Sequence, residues 1–138
     1  MKNIVFVILS LILISCKQPT SPTGQKIEEE FVLKYGQSTQ IQYSDTFTIK
    51  FQSVAEDSRC PKGATCVWEG NAKIVLQVVQ QDSLVNTTLE PKELIYSGRE
   101  GIKYRIKLVS VSPYPNINEQ IKLEDYSIKL IVYTNEIW

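Results

Sequence analysis

Phe47-Thr48-Ile49-Lys50-Phe51-Gln52 places a large apolar side chain at every second position and a polar one between. A period of two belongs to an extended strand with one face in a core and the other in water; a helix would space its apolar positions three or four apart. The alternation recurs on both sides of this stretch. Upstream, Phe31, Leu33 and Tyr35 alternate with Val32 and Lys34, and Ile41 and Tyr43 alternate with glutamines. Downstream, Tyr104, Ile106 and Leu108 alternate with Arg105 and Lys107, and Tyr126, Ile128, Leu130 and Val132 with Ser127 and Lys129. Ile74, Leu76 and Val78, with Val75 and Val79 filling the opposite face, read as a central strand, and Leu84 to Leu89 as a weaker one.

Turn signals fall between these runs: Tyr35-Gly36-Gln37-Ser38, Ser44-Asp45, Gln81-Asp82-Ser83 and Ser97-Gly98-Arg99-Glu100-Gly101. Short strands reversing at intervals of about eight to twelve residues predict an all-β fold, an immunoglobulin-like or related Greek-key β-sandwich of seven or eight strands. The segment from Pro113 to Asp125 predicts a long crossover of Greek-key kind, with Ile117, Ile121 and Leu123 folded back over one end of the core. Most tyrosines and tryptophans sit at inward positions of the alternation and read as core.

Composition narrows the chemistry. The 138 residues are 43% hydrophobic with 15 basic and 15 acidic side chains, enough for one domain and without the basic excess that nucleic acid requires. Histidine is absent, which removes Ser-His-Asp and Cys-His catalysis and the commonest metal ligand. The six glycines are scattered, so there is no phosphate-cradling loop. The run Glu28-Glu29-Glu30 reads as a solvated guard beside an edge strand, since no calcium loop pattern surrounds it. Glu56 and Asp57 are adjacent on a strand and point to opposite faces, so they make no facing pair of carboxylates for hydrolysis. The reading is therefore a non-enzyme with no catalytic residue, no cofactor and no metal.

The first residues read as an address. Lys2 precedes an apolar run of eleven residues, Ile4 to Ile14, too short for a comfortable membrane span and suited to a signal peptide. Its end, Leu13-Ile14-Ser15-Cys16, resembles the lipobox of bacterial lipoproteins. That resemblance implies cleavage before Cys16, acylation of this cysteine, and attachment to the membrane by chains contributing about 0.8 kcal/mol per buried methylene. Lys17 to Lys26, rich in proline and small polar residues, reads as a tether reaching some 30 Å when extended. The expected organisation is a signal peptide over 1–15, a lipidated cysteine and flexible tether over 16–26, and a β-sandwich over 27–138. The expected location is the bacterial cell envelope, lipid-anchored on a periplasmic or extracellular face.

With Cys16 given to lipid, Cys60 and Cys66 remain as a pair in an oxidising compartment and predict one intrachain disulfide. A ring of seven residues gains about 2 kcal/mol from the lost freedom of the unfolded chain, and Pro61 and Gly63 restrict and permit the angles it needs. Five residues between the cysteines and no nearby histidine argue against a redox centre. Asp57 and Arg59, two apart on one face, are placed to pair at the entry to the ring. Trp68 is expected to pack behind the disulfide in the core, with Glu69-Gly70 turning into the next strand. Arg59, Pro61, Lys62, Trp68 and Glu69 are the candidate binding residues of a preorganised loop, 57–70.

Glu56-Asp57-Ser58-Arg59-Cys60-Pro61, Cys66-Val67-Trp68-Glu69-Gly70-Asn71-Ala72, Val111-Ser112-Pro113-Tyr114-Pro115 and Asp125-Tyr126 together resemble an uncharacterised group of small bacterial secreted proteins and lipoproteins with a D-S-R-C-P, C-x-W-x-G signature. The resemblance implies an exported β domain with a disulfide and brings no catalytic residues. The functional expectation is non-catalytic binding or structural support in the envelope, with the membrane and an envelope protein or ligand as partners. A protease inhibitor presenting the 60–66 ring with Lys62 in the protease pocket, and a hydrolase using carboxylates alone, are the alternatives.

Overall fold

The computed structural model describes residues 27–81, 83–89, 93–98 and 101–134. The predicted leader, Cys16 and the tether lie outside them. Eight strands are present among the described residues: β1 (Phe31–Lys34), β2 (Ser38–Gln42), β3 (Thr46–Asp57), β4 (Ala72–Gln80), β5 (Ser83–Leu89), β6 (Glu93–Ser97), β7 (Lys103–Ser112) and β8 (Ser127–Thr134). They form two antiparallel four-stranded sheets, ordered β1-β8-β7-β6 and β2-β3-β4-β5. The all-β sandwich expected from the period of two is thus the fold. β1 lies beside β8 although the whole second sheet separates β1 from β6 in the chain, the Greek-key relation of a strand set against a run joined by hairpins.

Alternation builds the core as anticipated. Phe47, Ile49 and Phe51 of β3 are fully buried while Thr48 and Lys50 face outward, and Ile74, Leu76 and Val78 of β4 oppose them. Tyr104, Ile106, Ile128, Leu130 and Val132 close the core from the other sheet. β4 lies between β3 and β5, with Val75 and Val79 half-buried on its outer face. Two aromatic neighbours, Phe47 and Tyr104, fill the end near the β2–β3 turn with ring centroids 4.8 Å apart.

Three expectations are corrected. The Pro113–Asp125 segment is not a crossover: β7 and β8 pair directly, from Tyr104 with Thr134 to Ser112 with Ser127, so the segment is a wide hairpin connection. Its length is spent covering the loop between β3 and β4. Ile121 and Leu123 pack against the core as expected, but Ile117 is exposed because it rests on Gly63 of that loop instead. Tyr43 is also outside the core. The chain turns there, with the Tyr43 N–H donating to the Asp45 carbonyl at 3.0 Å, so the alternation of β2 ends at Gln42.

The sandwich has two unlike ends. At one lie the β3–β4 loop and the β7–β8 connection; at the other lie the β2–β3, β4–β5 and β6–β7 turns. The Glu28 N–H donates to the Val132 carbonyl at 2.7 Å, and Val132 pairs with Ile106, so the chain enters in the half away from the β3–β4 loop.

Candidate functional site

The β3–β4 ladder continues beyond its strands into a neck. The Ser58 N–H donates to the Asn71 carbonyl and the Cys60 N–H to the Glu69 carbonyl, both at 2.8 Å. Gly70 crosses this neck with φ of 69°, where a Cβ would fall on the Ser58 carbonyl, so only glycine fits. Beyond the neck Cys60 and Cys66 form the predicted disulfide, with Cα atoms 5.9 Å apart. Inside the ring the Ala64 N–H donates to the Pro61 carbonyl at 3.0 Å, and Gly63 takes φ of 89°.

Arg59 is the anchor of the loop. Its Nε donates to Asp57 Oδ1 at 2.7 Å and its Nη2 to Asp57 Oδ2 at 2.6 Å, a two-pronged pair with side chains only 11% and 10% exposed. Nη1 donates to the Val111 carbonyl at 2.6 Å and Nη2 also to the Pro113 carbonyl at 2.9 Å. The Tyr126 hydroxyl donates to Asp57 Oδ2 at 2.9 Å. Burial pushes the Asp57 carboxyl up, but the hydrogen bonds from Arg59 and Tyr126 and the guanidinium charge outweigh it and hold the group below its ordinary value. The Tyr126 hydroxyl is pushed up to about 12, by burial first and then by its bond to Asp57. The two sheets are stapled here through charge-assisted bonds.

The β7–β8 connection then lies along the ring. The Lys62 N–H donates to the Pro115 carbonyl at 2.9 Å and the Ile117 N–H to the Lys62 carbonyl at 3.2 Å. Tyr114 lies against two cations, its ring centre 5.0 Å from the Arg59 guanidinium carbon and 5.9 Å from Lys62 Nζ. A cleft of about 170 Å³ opens beside the neck, lined by Glu69, Gly70 and Asn71 on one side and by Val109, Val111 and Tyr114 on the other.

Of the candidate binding residues, Lys62, Trp68 and Glu69 are exposed and Pro61 is half-buried. Arg59 spends its guanidinium inside the protein and acts as a positioning group. Trp68 is the clear departure: it is 76% exposed, with Val67 beside it at 93%, and does not pack behind the disulfide. The neck holds the loop out from the sheet, and the β7–β8 connection packs on Lys62 and Gly63 of the ring and leaves the indole uncovered. Tyr114, Asn116 and Tyr126 were not singled out as site residues from the sequence. Their signal was the late motif, since 56–61, 66–72, 111–115 and 125–126 converge on this one end of the sandwich.

Each of the two clefts described for this chain carries a single carboxylate, Glu69 in this one and Asp45 in a second at the opposite end. Among the described residues no group of three or more His, Cys, Asp or Glu side chains is placed to hold a metal ion. What the arrangement offers chemically is a fixed surface of indole, phenol, ammonium and small apolar groups. Comparison with protein-family models, with curated proteins and with solved structures finds no match.

Proposed function

We propose that this is a lipid-anchored protein of the bacterial cell envelope with a non-catalytic binding role, and that its contact surface is the disulfide-closed loop 57–70. The observation that carries the reading is Trp68 with Val67, exposed on a loop locked by the Cys60–Cys66 bond, the Arg59 clamp and the Lys62 backbone pairing. A solvated indole gains the fold little, whereas an aromatic side chain on a rigid support is what dominates protein contacts and loses little entropy on association. The anchor at Cys16 rests on the leader motif. Because the chain enters in the half of the sandwich away from the loop, an anchor there leaves the loop accessible.

The inhibitor alternative is less well supported. A substrate-like inhibitor pairs its main chain with the protease, and both polar groups of the Lys62 main chain are already bonded to the β7–β8 connection. The carboxylate hydrolase has no supporting feature in either cleft, since neither is lined by two carboxylates.

The test has two arms in cells. Metabolic labelling with an alkynyl fatty acid should mark the native chain and not Cys16→Ser, and equal labelling would remove the anchor. A photo-crosslinker at position 67 should yield a discrete adduct that Trp68→Ser abolishes. Unchanged adducts in Trp68→Ser would remove the loop as contact surface.

A further inference from the structure

The four edges of the two sheets are guarded unequally. β1 carries Lys34 and follows Glu30, and β6 begins at Glu93. β2 is five residues long, and its inward Thr39 and Ile41 are buried. β5 has seven residues, Ser83-Leu84-Val85-Asn86-Thr87-Thr88-Leu89, with no charge, no proline and an unbroken register against β4. Among the described residues β4 is its one neighbouring strand. Proteins ordinarily blunt a flat, uncharged edge with lysine, proline or a bulge, because its outward N–H and C=O groups pair with another strand.

The side chains single out the same edge. Val85 pairs with Val78, which is 1% exposed, and cross-strand partners share a face, so Val85 points to the inner side of its sheet. It is 45% exposed all the same, and Thr87, opposite the buried Leu76, is half-buried. On the other side of the sandwich Phe31, Leu33, Thr39 and Ile41 of β1 and β2 are buried. The core is closed beside β1 and β2 and open beside β5.

We propose that β5 pairs with β5 of a second copy of this chain, antiparallel about Asn86. The run is self-complementary in that register: Leu84 stands opposite Thr88 on the outer face, Val85 opposite Thr87 on the inner face, and Asn86 opposite its own copy. In the sequence Asp82 and Glu90 bound the run, and a slip of two residues either way sets one of them against the uncharged strand, so charge fixes the register. The backbone phase agrees. Only two residues separate the paired Gln80 and Ser83, and Gln81 has φ of 49°, as in a tight hairpin whose closing pair bonds inward. Alternate residues then turn outward, which leaves the backbone groups of Leu84, Asn86 and Thr88 to the second copy. A ladder of seven residues a side is short of the roughly 20 to 30 of a standard interface. It suits chains held on one membrane at an effective concentration of about 1 mM, and in this it rests on the Cys16 anchor proposed above.

The experiment uses the full chain in cells with Asn86→Cys, treated with copper phenanthroline and separated on a non-reducing gel. A reducible band at twice the mass of the chain is expected. Val32→Cys, at a position 56% exposed on β1, should give less than about a tenth as much. Val85→Lys, which puts a charge on the inner side of the edge, should lower the Asn86→Cys dimer about tenfold, while Val85→Thr should keep it and so separate the charge from a loss of fold. Absence of the dimer, equal dimer in Val32→Cys, or a dimer unchanged by Val85→Lys overturns the proposal, as does an Asn86→Cys adduct of another mass alone. Labelling with the alkynyl fatty acid on the same gel separates the two readings. A labelled monomer without dimer removes the edge contact and leaves the anchor, whereas an unlabelled dimer keeps the edge contact and removes the anchor.

Discussion

The Tyr126 hydroxyl donates to Asp57 across 69 positions of sequence, and the same carboxylate receives two N–H groups of Arg59. Asp57 ends β3 of one sheet, whereas Tyr126 precedes β8 and Val111, the carbonyl partner of Arg59, belongs to β7 of the other. One carboxylate therefore ties the base of the exposed loop to both layers.

Removing that carboxylate should cost more than an ordinary surface ion pair. Asp57→Ala leaves a guanidinium that is 11% exposed without its counter-charge, and breaking a buried pair from one side costs about 3 kcal/mol. Tyr126→Phe removes one neutral donor and should cost about 1 kcal/mol. Urea unfolding of the two variants measures both, and a loss below about 1 kcal/mol in Asp57→Ala would make the clamp peripheral.

Stability should fall on both sides of neutral pH for different reasons. In the folded chain Tyr126 holds its proton to about 12, while in the unfolded chain it leaves near its ordinary value of 10.0, so above pH 10 the unfolded state binds fewer protons and stability drops until about 12. Tyr96, raised by burial and by Asp45, acts in the same direction. Asp57 is held below its ordinary value of 3.8, so its contribution is whole above that pH and is lost as pH falls through the folded value. Unfolding curves against pH should show both limbs, and Tyr126→Phe should flatten the alkaline one to what Tyr96 leaves. An alkaline limb of equal steepness in Tyr126→Phe would contradict the assignment.

Gly70→Ala should disrupt the neck. Its φ of 69° disfavours any side chain, and the added Cβ would fall on the Ser58 carbonyl. The neck must open, with loss of the Cys60–Glu69 backbone bond, at a cost of about 2 kcal/mol or more. Gly36→Ala is the control: its φ is 75° but its Cβ would meet nothing within 4 Å, so it carries backbone strain alone and should cost clearly less.

Much of the fold was legible because burial in a sheet follows from the strand itself. Phe47, Ile49 and Phe51 declare their inward face by spacing, and the pairing of Cys60 with Cys66 followed from the leader and the compartment it implies. The loop was legible as a motif and not as a shape. Arg59 finds its carbonyl partners 52 and 54 residues away, a relation no local period encodes. Trp68 was misplaced for the same reason: in a loop, burial depends on what another segment covers, and here the β7–β8 connection packs on Lys62 and Gly63 and leaves the indole outside.

That exposure makes Trp68 separable from the fold. A side chain 76% in water when folded gains little further hydration on unfolding, so Trp68→Ser should change stability by no more than about 0.5 kcal/mol. In a Trp138→Phe background, the emission of Trp68 should already be that of a solvated indole and should shift little across the urea transition. A blue-shifted native emission that moves to the red on unfolding would put the indole in an apolar site and return it to the packing role first expected of it. Stability and emission behaving as stated, together with loss of the position-67 adduct in Trp68→Ser, would mean that the residue is kept for what it touches outside the chain. The Arg59 clamp and the disulfide then serve to hold one exposed side chain still.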